Sequence, residues 1–210
     1  MLKIDSYKLF SSYKLILSIP EFSIEKGNFI YIQGNNFSGK TLFLNSLYGD
    51  YKNFKGSVLL NNKKISQRKD ENSVFLIDSD LIVISDMTFL QHLEIPFKNL
   101  SIHQKNRVIE MASILGVMDI LNVKAKYFSK SEKMMLYILR IALISPYLLL
   151  IDDLDFYFDN DNLKKVYQLI LYCLKSGMIV IATGKTKIKN VPLYHINACL
   201  LENVCPSIDS

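Results

Sequence analysis

Along this chain of 210 residues, apolar positions cluster in two ways. Near both ends they form short runs bounded by polar turns, the pattern of β-strands. Between Met87 and Ser145 they recur at three- and four-residue spacing, the pattern of amphipathic helices. Leu2–Leu9 and Tyr13–Ile19 read as two strands joined by a turn at Phe10-Ser11-Ser12, an N-terminal antiparallel β region. Phe22-Ser23-Ile24 reads as a third short strand, and Glu25-Lys26-Gly27-Asn28 turns the chain into the next run, Phe29–Ile32. Gly56–Leu60 with Asn61-Asn62 predicts half of a hairpin, and Ser73–Ile77 a compact buried strand. Helices are predicted from Thr88 to Pro96, from Ser101 to Gly116, and from Ser129 to Ser145. Then come an aliphatic strand, Tyr147–Ile151, a helix over Leu163–Leu174, a strand at Met178–Ala182 and a last one at Tyr194–Leu201. Alternating strands and helices predict an α/β chain, with a mostly parallel sheet flanked by helices and a helical subdomain inserted over about 86–145.

One stretch gives this pattern a chemistry. Gly34-Asn35-Asn36-Phe37-Ser38-Gly39-Lys40-Thr41 matches G-x-x-x-x-G-K-[ST] at every fixed position. It lies between the Phe29–Ile32 strand and a helix predicted from Thr41 through Leu42 to Tyr48. Such a loop turns consecutive N–H groups inward, and the helix that follows adds its positive end. Lys40 is placed to reach the β and γ phosphates and Thr41 to hold Mg²⁺. A second carboxylate is needed on a neighbouring strand, and Asp152, closing the run Leu148-Leu149-Leu150-Ile151, has that context. Asp153 follows and is the candidate to polarise an attacking water.

Composition narrows the classes without choosing among them. Half of the residues are hydrophobic, enough for a sizeable core and too many for disorder. The net charge of +5 comes from scattered lysines, with no basic tract that would mark a nucleic-acid partner. Cys173, Cys199 and Cys205 share no metal-ligand or disulfide spacing, which fits a reduced, cytosolic setting. No run approaches the roughly 18–20 apolar residues of a membrane span. The three arginines, Arg68, Arg107 and Arg140, do not cluster, which argues against a small phosphoryl-transfer kinase with an arginine-bearing lid.

The order of loop, helical insert, Ser-capped helix, Pro146 and aliphatic strand with Asp152-Asp153 resembles the ABC transporter-type ATPases over essentially the whole chain. The resemblance implies ATP and Mg²⁺ as ligands, a single ATP-binding domain over 1–210, a nucleotide-bound homodimer and an integral membrane partner. It places Phe128–Glu132 at the signature, where only Ser129 matches Leu-Ser-Gly-Gly-Gln. It places Asp159 at the dimer-crossing loop, Asp78 or Ser79 at the usual glutamine, and Thr183-Gly184 at the switch, where Gly184 stands for the histidine. Phe10 or Tyr13 falls near the adenine-stacking aromatic. Within the family, Gly27–Ile32, Leu47–Asp50 and Ser85–Thr88 look like the FtsE-type cell-division ATPase, whose partner resembles FtsX; lipoprotein-release and other small exporter ATPases share the size and order. The resemblance also puts the partner-binding surface on Leu81–Pro96, including Ile82, Val83, Ile84, Met87 and Phe89.

These departures weigh on hydrolysis more than on binding. Glycines in the signature allow close backbone approach to phosphate, which Lys130 and Ser131 restrict. A shorter Asp153 in place of Glu sits back from the water, and about 1 Å of misplacement costs on the order of 10²-fold in rate. A missing preorganised donor at Gly184 costs about 10²–10³ more, though not additively. The expectation is firm nucleotide binding with slow or absent turnover. The readings left open are an ATP-driven subunit and a hydrolysis-deficient scaffold.

Overall fold

A computed structural model of the chain describes residues 1–65, 73–97, 99–185, 193–197 and 200–204. Arg68, Cys199 and Cys205 lie outside the described residues. Strands β1 (Leu2–Ser11), β2 (Lys14–Ile24), β4 (Phe54–Leu60) and the short β5 (Lys63–Lys64) pair antiparallel. Strands β3 (Phe29–Gln33), β6 (Val74–Ile77), β7 (Leu148–Ile151), β8 (Ile179–Gly184) and β9 (Leu193–Asn197) run parallel. The last strand, β10 (Leu200–Val204), pairs with β9 and touches β2 at Ser18, so one sheet runs β5-β4-β1-β2-β10-β9-β3-β8-β7-β6. This is the α/β architecture that the alternation of elements predicts.

Two local expectations change. The two strands predicted at Tyr13–Ile19 and Phe22–Ile24 are one, β2, which is continuous through Pro20. Pro20 is exposed and faces Ser6, whose φ is 50°, where the pairing steps from Asp5–Glu21 to Tyr7–Ile19. Its missing N–H is therefore not required by the ladder there. The single predicted last strand is an antiparallel pair, β9 and β10.

The parallel strands show why an all-aliphatic run is needed. Phe29, Tyr31, Leu149, Ile151, Val180 and Ala182 enter one core, whereas Ile30, Ile32, Leu148, Leu150, Ile179 and Ile181 enter the other. With period two and both faces covered, each residue of the strand must be apolar. The first core is closed by α3 (Ile102–Leu115), α4 (Lys130–Ile144) and α5 (Asn160–Leu174), the second by α1 (Lys40–Tyr48) and the antiparallel strands.

The helix limits follow local chemistry. Thr88, Ser101 and Ser129 each form a capping box, with Gln91, Gln104 and Glu132 respectively, starting α2 (Phe89–Glu94), α3 and α4. Gly116 and Ser145 end α3 and α4 in the left-handed region. Helix α5 starts three residues earlier than its apolar pattern suggests, because the Asp159 carboxylate accepts from the Asn162 N–H at 2.8 Å. Arg107 ties the insert together: its Nη2 donates to the Ala142 carbonyl at 2.8 Å and to Ser145 Oγ at 3.2 Å.

Candidate functional site

Strands β3, β6, β7 and β8 all point their carboxyl ends to one edge of the sheet, where α/β proteins place ligands. The loop after β3 is held by its own backbone. Gly34 N–H donates to the Gly184 carbonyl (3.3 Å), and Lys40 Nζ donates to the carbonyls of Gly34 (2.8 Å) and Asn35 (3.0 Å). Lys40 is buried, and that burial lowers its pKa while the charges of Asp153 and Asp152 oppose the shift. Two glycines are required by space. A Cβ at Gly39, whose φ is 93°, would lie 2.4 Å from Ile16 Cγ2, and one at Gly34 would lie 2.6 Å from Ser38 Oγ. Phe37 occupies the left-handed region at φ 63° with its ring fully exposed.

The loop faces a cavity of about 540 Å³, lined by Asn36 through Leu42 on one side and Asp153 on another. The β1–β2 hairpin contributes Ser11, Lys14 and Ile16 to it. Phe10 and Tyr13, the aromatics considered for a base, do not line it: Phe10 carries Lys55 over its ring at 5.8 Å, and Tyr13 projects wholly into solvent. Ile16 is the apolar surface beside the loop. The residues present fit a bound phosphate chain. Ser38 Oγ is buried with no hydrogen-bond partner, and the N–H groups of the first turn of α1 have no partner within the helix.

Thr41 Oγ1 donates to Asp152 Oδ2 at 2.7 Å, which brings the two candidate Mg²⁺ ligands together. Thr183 joins them: its hydroxyl donates to Asp152 Oδ1 at 2.6 Å and accepts from the Asp153 N–H at 3.0 Å. Asp152 N–H donates to the Ile77 carbonyl at 2.9 Å, so its backbone is held by β6 and its carboxylate by α1 and β8. Among the described residues no group of three or more His, Cys, Asp or Glu side chains could hold a metal. Thr41 and Asp152 alone match the sparse protein shell that Mg²⁺ accepts when phosphates and waters complete it. Asp153 adopts a left-handed conformation (φ 44°, ψ 50°), which Asp tolerates better than longer side chains. Burial, then the Asp152 charge beside it, raises its pKa above the ordinary carboxylate range.

The end of β8 holds what the sequence did not reveal. Gly184 is the residue that the resemblance sets at the switch histidine, and a Cβ there would lie 2.0 Å from Tyr31 Oη and 2.2 Å from Asp155 Oδ1. The tyrosine hydroxyl and the carboxylate fill the space where a histidine would begin. Tyr31 is fully buried with its hydroxyl against Asp155, and burial, then Asp155, drive its pKa far upward. Asp155 Oδ2 accepts from the Lys185 N–H at 2.9 Å. Tyr31 looks like core on β3, and Asp155 lies beyond the two motif aspartates, so neither carries a local signal.

Other expected positions lie apart from the cavity. Ser129 caps α4: its Oγ and N–H both donate to Glu132 Oε2 at 2.7 Å, and it does not line the cavity. Asp159 caps α5. Asp78 follows β6 at the same sheet edge, with its Oδ1 accepting from Asp80 N–H at 3.0 Å. Of the partner-surface residues, Phe89 is core, Val83 and Met87 are half-buried, and Ile82 and Ile84 are 79% and 55% exposed.

Comparison with known proteins agrees with this geometry. Residues 17–154 match the ABC transporter family model. Over 177 residues, 82% of this chain and 79% of the relative, the chain is 31% identical to the cytochrome c biogenesis ATP-binding export protein CcmA of Reclinomonas americana. It is 29% identical over 182 residues to the zinc import ATP-binding protein ZnuC of Wolbachia pipientis wMel, covering 86% of this chain and 71% of that one. Among solved structures, a putative ABC transporter ATP-binding protein from Pyrococcus furiosus superposes with a TM-score of 0.80 at 23% identity, covering 93% and 96% of the two chains. The protein belongs to the ABC transporter family and is an ATP-binding subunit of that family.

Proposed function

We propose that this chain binds ATP with Mg²⁺ on the Gly34–Thr41 loop, hydrolyses it slowly or not at all, and couples the bound state to an integral membrane partner. The observation that carries this reading is the contrast around one cavity. Loop, Lys40, Thr41 and Asp152 form a connected set, whereas the switch position is filled by Tyr31 and Asp155. ATP would supply the triphosphate anion and the phosphoanhydride bond. Lys40 exchanges its bonds to the Gly34 and Asn35 carbonyls for phosphate oxygens. The loop N–H groups and Ser38 hydroxyl receive negative charge, and Thr41 with Asp152 orients the cation. Asp153, with its raised pKa, is the group placed to accept a proton from water, from a side chain one methylene shorter than Glu.

Subunits of this family work with integral membrane partners, and among the described residues no helix is long and apolar enough to cross a membrane. The surface for such a partner is the Leu81–Pro96 region, the start of the helical subdomain at about 86–145 and the loop before it. Its backbone is pinned: the Tyr137 hydroxyl donates to the Ile82 carbonyl, and the Ile84 N–H donates to His92 Nε2 at 2.9 Å. That pinning holds the Ile82 and Ile84 side chains outward. The chain then works as a peripheral subunit on the cytoplasmic face, as a nucleotide-bound dimer. An FtsE-like role with an FtsX-like partner rests on Gly27–Ile32, Leu47–Asp50 and Ser85–Thr88; the relatives above are named for export and import instead.

Equilibrium titration with MgATP, with turnover measured on the same samples, tests this reading. We expect binding that Lys40→Ala weakens by roughly 100-fold or more, since it removes a charged donor from the phosphates. Turnover is expected to stay near background in both proteins. Robust hydrolysis abolished by Lys40→Ala overturns impaired turnover; absence of binding by the unaltered protein overturns the whole reading.

A further inference from the structure

Lys185 immediately follows Gly184, and its backbone is fixed from both sides. Its N–H donates to Asp155 Oδ2 at 2.9 Å, and its carbonyl accepts from Gln33 Nε2 at 2.6 Å. Gln33 is the last residue of β3, paired with Gly184, and Gly34 opens the phosphate loop. Gly34 N–H binds the Gly184 carbonyl, while the Gly34 carbonyl binds Lys40 Nζ. Two lysines are thereby anchored on either side of the same glycine. The Lys185 side chain is exposed, and among the described residues its ammonium has no ion-pair partner.

We propose that Lys185 is a second phosphate-binding cation of this site, contacting the terminal phosphate of a nucleoside triphosphate held by the loop. The inference rests on the nucleotide-binding reading above and deepens it. The backbone anchors supply the preorganisation, and the flexible stem of lysine supplies the reach. Gly184 itself can present nothing, because its Cβ space belongs to Tyr31 and Asp155. Lys185 is not among the residues that line the cavity. Its backbone is nevertheless fixed one residue after the Gly184 carbonyl that accepts from Gly34 N–H, so only the flexible stem has to swing toward the loop when an anion enters.

The test is calorimetric titration of MgATP and MgADP into the unaltered protein and into Lys185→Gln, Lys185→Arg and Lys40→Ala. A contact confined to the terminal phosphate makes Lys185→Gln bind MgATP about tenfold more weakly while leaving MgADP binding unchanged. Lys185→Arg should restore the difference between the two nucleotides. Equal weakening of both nucleotides, or no change in either, overturns the assignment while leaving the loop reading intact. If the unaltered protein binds neither nucleotide, the loop reading fails and takes this inference with it.

Discussion

Two turns at the same edge of the sheet, after the neighbouring strands β3 and β8, are built in opposite ways. The turn after β3 is made mostly from neighbours in sequence: Gly34 lies against Ser38 and Lys40, and only Gly39 meets a distant side chain, Ile16 of β2. The turn after β8 is made from distant ones. Tyr31, Asp155 and Gly184 converge from β3, from the segment after β7 and from β8. The first is a motif and survives as a unit; the second is a packing solution that any one of three substitutions would disturb. A glycine loop of this kind can therefore stand unchanged beside a β8 turn packed in a different way.

The sharpest way to break that contrast is at Gly184. Gly184→Ala places a methyl group against Tyr31 Oη and Asp155 Oδ1, neither of which is a free end of a flexible chain. Overpacking of this kind costs about 1–3 kcal/mol, and we expect about 2 kcal/mol in denaturant unfolding. Tyr31→Phe removes the buried hydroxyl that lies against Asp155 and the Cβ position of Gly184. In that background the cost of Gly184→Ala should fall, giving a coupling of about 1 kcal/mol in a double-mutant cycle. Additive effects would show that the two residues do not compete for the same space.

The same contrast explains which features were readable in the chain. The loop, the capping boxes at Thr88, Ser101 and Ser129, and the aliphatic run before Asp152 are local patterns, and each became the element expected. Tyr13–Ile19 and Phe22–Ile24 proved to be one strand because Pro20, exposed opposite Ser6, does not need an N–H there, a fact of pairing rather than of sequence. Thr183 sat in a motif position, yet its role as the link between Asp152 and Asp153 depends on β7 and β8 being neighbours. Tyr31 and Asp155 were invisible for the same reason. Ser129 was legible as a helix cap and is one; its proposed part in binding nucleotide would require a second subunit.

A smaller effect is expected at the carboxylate that the two turns share. Asp153 has a folded pKa raised by burial and by Asp152, so its ionised form is disfavoured in the native state. For a carboxyl group with this sign, the contribution to stability is present at low pH and is lost as pH rises through the folded pKa. Asp153→Asn should therefore raise the thermal midpoint slightly at pH 7, with the gain fading as pH falls into the ordinary carboxylate range. A gain that grows toward acid would reverse the assigned cause. The backbone N–H bond to Thr183 is untouched by this substitution, so the comparison isolates the charge.

The smallest effect belongs to the loop itself. Phe37 holds φ at 63° with its ring fully exposed, so nothing it packs against offsets the left-handed backbone. A left-handed residue with a bulky side chain costs about 1–2 kcal/mol, and Asn bears the same conformation with less strain. Phe37→Asn should then stabilise the nucleotide-free protein by up to about 1 kcal/mol, read as a shift in the unfolding midpoint at constant slope. The loop bonds made by Lys40 involve Gly34 and Asn35 rather than Phe37, so MgATP affinity should hold. A variant that gained stability but lost affinity would mean that the exposed ring meets the nucleotide or a second subunit, and the strain at Phe37 would then be part of the site rather than a tolerated defect in it.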